Sequence, residues 1–375
     1  MAEVEIQPVS TRAQQKQFLD LPWQLYRDDP LWIPPLRTNQ KELVGFKKHP
    51  FYERNEVQAF IAVRGCETVG RVAAIVNHGH NERHQEQRGF FGFFESIDDQ
   101  AVADGLFAAA RTWLRERGME TVRGPVNPSL NYECGLLIDG FDESPCFMMT
   151  YNPPFYGRLI EGAGFQKCQD LFAYDGHLEM LGQLDEKLAF IGDEAKKRFN
   201  IEVRSMDKSR FREEVDRYVE LYNRALGGTW GFVPLSPAEM QHMAAALRML
   251  LVPELTCVAE IDGKVVGAVM CLLDYNPRIK AIDGKLFPFG FMRLLWNRKA
   301  IKRARAIATT VVPEYQTWGV GLVVLQGLEP KGVAWGLTSC EFSWVLESNK
   351  LSRRGLEKGG ALLSKTYRLY DFEGR

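Results

Sequence analysis

The stretch TTVVPEYQTWGVG, Thr309 to Gly321, decides how this chain is read. A β-branched run from Thr309 to Val312 stops at Pro313. Gln316-Thr317-Trp318-Gly319-Val320-Gly321 follows, and an apolar run begins at Leu322. That order reads as strand, glycine loop, helix. Glycines let a backbone approach an anion closely, and a helix start behind them adds unpaired N–H donors and a partial positive charge. The arrangement suits a diphosphate. It is not the dinucleotide fingerprint, which needs three glycines at another spacing.

Gln-x-x-Gly-x-Gly behind a strand ending Val-Val-Pro-Glu-Tyr resembles the acetyl-CoA loop of GCN5-related N-acetyltransferases (GNAT). The resemblance implies that the backbone of Gln316, Thr317, Trp318, Gly319, Val320 and Gly321 anchors CoA. It implies that Val311 and Val312 run beside the pantetheine arm and help to hold the thioester carbonyl, and that Asn349 touches the cofactor. Acetyl-CoA or a longer acyl-CoA enters as substrate, and no metal is expected.

Composition excludes little else. Apolar residues make up 45% and charged residues 25% of 375 residues, ordinary for a globular protein of one large or two smaller domains. A net charge of −1 gives no bulk argument for nucleic acid. Seven scattered cysteines without a C-x-x-C pair fit free thiols in a reducing compartment. The first residues lack an apolar h-region and no apolar run reaches the length of a membrane span, so the expectation is a cytoplasmic protein.

The chain repeats itself. Val4 to Val9 reads as a strand, and AFIAV with VGRVAAIV (Val57 to Val76) as a hairpin. CVAEIDGKVVGAVMCLL repeats the hairpin with an Asp262-Gly263 turn. Leu25-Tyr26 matches Leu221-Tyr222, Val69-Gly70 matches Val266-Gly267, Asn152 matches Asn349, and Tyr174-Asp175 matches Tyr370-Asp371, at offsets of 196 or 197, and Pro35-Leu36 matches Pro234-Leu235 at 199. We therefore expect an α/β fold with mixed sheets in two tandem GNAT-like domains, residues 1–182 and 183–375. The seam falls near Gly182, before a polar helix from Leu184 to Phe199. The first copy carries Glu95, Asp98 and Asp99 where a glycine loop would sit. Three carboxylates repel a diphosphate, so they read as helix caps and the first copy as cofactor-less. Its helix places Val102, Leu106, Ala110, Trp113 and Leu114 on one face and stops at Gly118.

The second copy holds an insert, Tyr275 to Arg305, in which Leu286, Phe287, Phe289, Phe291, Met292, Leu294, Leu295 and Trp296 precede a basic tail. It reads either as packing between domains with a solvated basic face or as a lipid-facing flap. In the second reading, residues 286–305 make peripheral membrane contact.

Acyl transfer to an amine needs a base, because less than about 0.1% of an alkyl amine with pKa about 10.4 is neutral at pH 7. The strand Cys340 to Leu346 alternates, with Glu341, Ser343, Val345 and Glu347 on one face. Glu341 is the first candidate base and Glu347 the second. Three features depart from the family pattern. Leu356 stands where the family often has the tyrosine that protonates the thiolate, leaving Tyr367, Tyr370 or water for that role. Trp318 is bulky for its loop position. Pro330 should stop or kink the loop helix. His78, His80 and His84 have no zinc spacing and read as a polar loop.

The whole chain also resembles a bacterial family of double-GNAT proteins through GFFGFFES, RGPVNPS and YNPPFYGRL. The function expected is acyl-CoA-dependent N-acylation, with acetyl the simplest group and a small-molecule or lipid amine as acceptor. Trp230, Phe232 and Tyr275 are candidate cleft walls. The alternatives are a long-chain acyltransferase on a sphingoid-like amine, a tRNA-dependent aminoacyl-transferase of the Fem type, and a non-catalytic acyl-CoA sensor.

Overall fold

Strands β1 (Val4–Pro8), β2 (Glu56–Arg64) and β3 (Glu67–Val76) form where the β-branched runs alternate, and Gly65, at φ +65°, turns β2 into β3. These elements belong to a computed structural model that describes residues 3–177 and 186–374. By compactness the chain divides into two units. Unit 1 takes Met1–Leu171, Asn276–Arg293 and Lys365–Arg375; unit 2 takes Phe172–Tyr275 and Leu294–Ser364. The expected seam near Gly182 lies outside the described residues.

Unit 1 continues with helix α1 (Arg12–Leu25) and strands β4 (Arg88–Ser96), β5 (Thr121–Gly124) and β8 (Leu136–Asp139). A small antiparallel pair, β6 (Val126–Asn127) and β7 (Glu133–Cys134), lies between β5 and β8. β4 and β5 run parallel; the β1–β2, β2–β3 and β3–β4 pairs are antiparallel. Helix α2 (Gln100–Arg115) buries Val102, Leu106, Ala110 and Leu114, the face its periodicity predicts. They pack with Phe91, Phe94, Phe107 and Phe165 in one core. Gly118 ends the turn at φ +78°. Asp99 caps α2 by accepting from the Ala101 N–H at 2.9 Å, as expected of the acidic turn.

Glu95 corrects that expectation. It is no cap but lies on β4, where its carboxylate accepts from the hydroxyls of Tyr26 at 2.7 Å and Tyr156 at 2.8 Å beside Arg71. Burial pushes its pKa up.

The closing strand β15 (Leu362–Phe372) completes unit 1 from Lys365 onward. Tyr370 pairs with Gly124 and Asp371 with Arg123 on β5, and Tyr367 pairs with Leu137 on β8. Asp371 is held by Arg123 at 2.7 and 2.8 Å and by Arg88 at 3.0 Å.

Unit 2 repeats the plan. Its strands follow the order β9 (Gln166–His177, from Phe172 on), β14 (Ser339–Leu346), β13 (Arg303–Val311), β12 (Lys264–Leu273), β11 (Thr256–Ile261), β10 (Glu202–Arg204). Asp262 and Gly263 both have positive φ, +50° and +73°, as a two-residue hairpin loop requires. Helix α3 (Glu186–Arg198) occupies the described part of the predicted 184–199 segment. Helix α4 (Phe211–Leu226) precedes the hairpin. Helix α5 (Val320–Trp335) begins at the glycine loop, and α6 (Lys350–Lys358) follows β14. Pro330 does not stop α5. A proline forfeits one N–H bond, and burial of Val320, Val323, Val324 and Leu328 carries the helix past it. Among the described residues no helix is long and apolar enough to cross a membrane.

Candidate functional site

β13 and β14 are parallel partners only from Arg303 to Ala306, opposite Ser339 to Phe342. Beyond that β13 runs on to Val311 and β14 to Leu346, so a wedge opens between them. A bulge marks its apex. Met270 on β12 faces Ala308 and Cys271 faces Ala306, leaving Ile307 without a partner on either neighbouring strand. A bulge frees the backbone groups of its extra residue. A backbone donor fixed at the apex can polarise an acyl carbonyl.

The glycine loop stands at the end of β13. Gly319 takes φ +84°, the left-handed conformation that favours glycine, and serves as N-cap of α5. Val320 and Gly321 open the helix, and their N–H groups have no backbone acceptor among the described residues. Gly321 faces open space, since an added Cβ would come no nearer than 3.9 Å to Val311. This is a fit for an anion. The Gln316 side chain braces the loop from behind, donating to the carbonyls of Val311 at 3.0 Å and Ala225 at 3.3 Å. Trp318 finds its room outward. Its ring is half exposed, with the Arg198 guanidinium 4.6 Å from its centroid and Phe199 edge-on at 5.9 Å. Val311 and Val312 are buried, and Thr317 sits between the bracing glutamine and the tryptophan.

Beneath the wedge lies a buried polar chain. Ser343 Oγ accepts from Arg305 Nε at 2.8 Å and donates to Glu341 Oε1 at 2.7 Å. Glu341 Oε2 faces Arg303 at 3.5 Å, and Arg303 reaches Asp175 at 3.4 Å. Glu341 is wholly buried and Arg305 nearly so, with the Trp344 ring 5.0 Å from its guanidinium. Burying such charges is tolerable only because they are paired and hydrogen-bonded. The Trp344 indole N–H, in the splayed part of β14, is buried without an acceptor among the described residues. It is a donor that the carbonyls of a pantetheine arm can satisfy.

The other candidates fall elsewhere. Glu347 is half-buried just past β14, where its carbonyl accepts from Arg353 at 3.2 Å. Asn349 is exposed and caps α6 through a bond from the Ser352 N–H at 3.1 Å. Leu356 packs against the cluster of Phe172, Tyr174, Val345 and Ala361, and the Tyr174 hydroxyl donates to Glu357 at 2.9 Å. Tyr367 is fully buried in unit 1, its Cβ close against Gly135. In unit 2, Tyr275 is buried and donates to the Leu250 carbonyl at 2.8 Å, and Phe232 packs edge-on against Tyr222. His80 is buried between His84 and Phe90, and burial pushes its pKa down to about 4. No group of three or more metal-ligating side chains occurs among the described residues.

Arg303, Arg305 and the bulge at Ile307 were not singled out from the sequence, and Asp175 stood there only as a repeat landmark. Arg303 and Arg305 stood in the insert's basic tail, where a surface reading was natural. Their place on β13, with an apolar residue between them, was the available signal.

A protein from Caulobacter vibrioides (strain NA1000 / CB15N) named Bacterial ceramide synthase is 36% identical to this chain over 380 residues, covering 99% of this chain and 97% of its own. The chain belongs to the bacterial ceramide synthase family. Protein YghO of Escherichia coli (strain K12) is 34% identical over 362 residues, covering 95% of this chain and 92% of its own. No protein-family model matches. Among solved structures, a tandem GNAT protein from the clavulanic acid biosynthesis pathway superposes over 99% of this chain and 98% of its own, with TM-score 0.57 at 13% identity. A GCN5-related glucosamine N-acetyltransferase region of a fungal multi-domain β-N-acetylglucosaminidase gives TM-score 0.59 at 15% identity, over 99% of this chain and 38% of that one. At those identities the likeness is one of fold. The chain has the tandem GNAT acyltransferase-like fold.

Proposed function

We propose that this chain transfers a long acyl group from acyl-CoA to the amine of a sphingoid-type lipid base. The observation that carries the reading is the near-full-length identity to a relative named for ceramide synthesis, ceramide being an N-acylated sphingoid base. The GNAT fold and the glycine loop of unit 2 support the acyl-CoA half of the reaction. Of the two acceptor readings, the lipid amine moves ahead of simple acetylation.

In this reading the Gly319–Gly321 turn holds the diphosphate and the pantetheine arm descends the wedge between β13 and β14. The acyl carbonyl lies at the Ile307 bulge. The amine nitrogen attacks that carbonyl and gives up its proton by way of the Ser343 hydroxyl to Glu341; the C–S bond breaks, and the leaving thiolate takes a proton from water. Glu341 is enclosed, so its route to the amine runs through the Ser343 hydroxyl, which already donates to it. Arg303 and Arg305 hold that pair in register. Asn349, Glu347 and Tyr367 have no step in this scheme.

The test is amide formation from palmitoyl-CoA and a sphingoid base, read by mass spectrometry of the lipid extract together with thiol release. Product with the sphingoid base but not with small amines is expected. Thiol release only from acetyl-CoA with small amines would return the acetyltransferase reading, and acyl-CoA binding without release would favour a sensor.

A further inference from the structure

The insert that opens with Asn276 builds a rigid platform and then leaves its aromatic residues bare. Two glycines fix the platform. A Cβ on Gly284 would lie 2.2 Å from the Pro35 carbonyl oxygen, and one on Gly290 would lie 2.0 Å from the Lys285 carbonyl oxygen. The Trp23 indole N–H donates to Asp283 at 2.7 Å, the Arg37 N–H donates to the Gly284 carbonyl at 3.1 Å, and Ile279 is buried below. The Phe291 N–H closes the loop on the Leu286 carbonyl at 2.9 Å. From this base Phe287 is 76% exposed, Phe289 73%, Met292 55% and Phe291 40%. The Phe287 and Phe291 rings lie 6.3 Å apart. Four large apolar side chains held outward on a braced loop keep a continuing hydration penalty unless something covers them.

Charge says what covers them. Lys285 and Arg293 flank the aromatic residues in sequence and are exposed, as is Lys280, whose ammonium donates to the Pro30 carbonyl. The single acid of residues 276–293, Asp283, is already engaged by Trp23 and by Lys285 at 2.8 Å. Exposed phenylalanines with exposed cations on either side of them in sequence are the pattern of a loop that enters the headgroup region of an anionic leaflet. We propose that residues 285–293 are a membrane-docking edge that seats this chain on an anionic lipid bilayer. The inference does not rest on the acyltransferase reading, because docking is measurable without turnover.

The experiment is vesicle flotation of the full chain. One set of vesicles is phosphatidylcholine alone; the other carries about one third phosphatidylglycerol, enough to make the surface strongly negative. The parent should float with the anionic vesicles and far less with the neutral ones, and raised salt should reduce the difference. Phe287→Ser with Phe289→Ser should lower partitioning about tenfold or more, and Lys285→Glu with Arg293→Glu should erase the anionic preference. All four positions are exposed, so circular dichroism should match the parent and foldedness is checked separately. A parent that stays down with both vesicle types overturns the proposal. So does an aromatic double variant that floats like the parent. So does light scattering in which the parent is a dimer and the aromatic variant a monomer, which would make the face a contact between copies.

Discussion

Each unit has a wedge between two parallel strands, and the two wedges are used in opposite ways. In unit 1, β4 and β5 pair from Arg88 to Phe90 and then separate, with a bulge at Phe93. The chain leaving β5 turns back into that gap. The Val126 carbonyl oxygen lies so near Gly92 that a Cβ there would come within 1.7 Å of it, and Asn127 Oδ1 accepts from the Phe93 N–H at 2.7 Å. In unit 2 the corresponding strand continues to Leu346, and among the described residues the bulged Ile307 has no strand partner. The same fold feature is filled by a brace in one unit, and in the other it is the place proposed for the acyl-CoA arm. In the proposed reading, a short plug ending in one asparagine takes the place in unit 1 that the pantetheine arm takes in unit 2, supplying apolar filling and an acceptor.

The most damaging way to break the comparison is Gly92→Ala. A Cβ at 1.7 Å from backbone cannot be absorbed, and the plug must move; we expect a loss of about 3 kcal/mol or more, seen as a drop in Tm of the apo protein. An unchanged Tm would mean that the plug is loose. Next come Glu341→Gln and Ser343→Ala. If unit 2 carries the chemistry through these groups, turnover should fall by about a hundredfold or more at unchanged acyl-CoA affinity. Glu95→Gln, in the plugged unit, should leave turnover near the parent's.

Gly321→Asp sharpens the comparison at binding. The position is open and an acidic residue suits a helix start, so the apo protein should hold its Tm, yet the carboxylate occupies the anion's place. The stabilisation by acyl-CoA at about 100 times its Kd, about 2.7 kcal/mol, should vanish. In hydrogen exchange the parent should gain protection across residues 309–321 and none across 88–127; the reverse pattern would locate the cofactor in unit 1.

The smallest effect is in pH. Folding depresses the pKa of His80 to about 4, below the ordinary 6.5, because burial disfavours its charged form. The unfolded chain then binds the proton more readily, so the stability His80 contributes is present above pH 6.5 and is lost as pH falls toward 4. His80→Gln should flatten that limb of the Tm-against-pH curve by a few degrees.

What the sequence made legible was local. The Thr309–Gly321 string showed strand, loop and helix because each depends on neighbours a few residues away. The Asp262-Gly263 hairpin and the alternation of faces along β14 follow from turn chemistry and a period of two; which face is buried did not, because the more apolar Phe342, Trp344 and Leu346 are less buried than Glu341, Ser343 and Val345. The plug was not legible, although RGPVNPS and GFFGFFES stood out as landmarks, because Gly92 and Asn127 are explained only by each other's surroundings, 35 positions apart. The pairing of Asp175 with Arg303 spans 128 positions and has no short-range signature. Glu95 looked like a cap because an acidic cluster before a helix usually is one; here the strand runs one residue past it and turns its side chain inward to Tyr26 and Tyr156. Pro330 failed as a stop because tertiary burial outweighs one missing bond.

The division of the chain has a consequence for its birth. Residues 365–374 complete unit 1, where Asp371 meets Arg88 and Arg123. They leave the ribosome only after every residue of unit 2 has been made. Domains ordinarily fold in the order of synthesis. Here the unit begun first lacks Asp371, a shared partner of its Arg88 and Arg123, until a strand made after unit 2 arrives, so unit 2 has all of its own residues before unit 1 does.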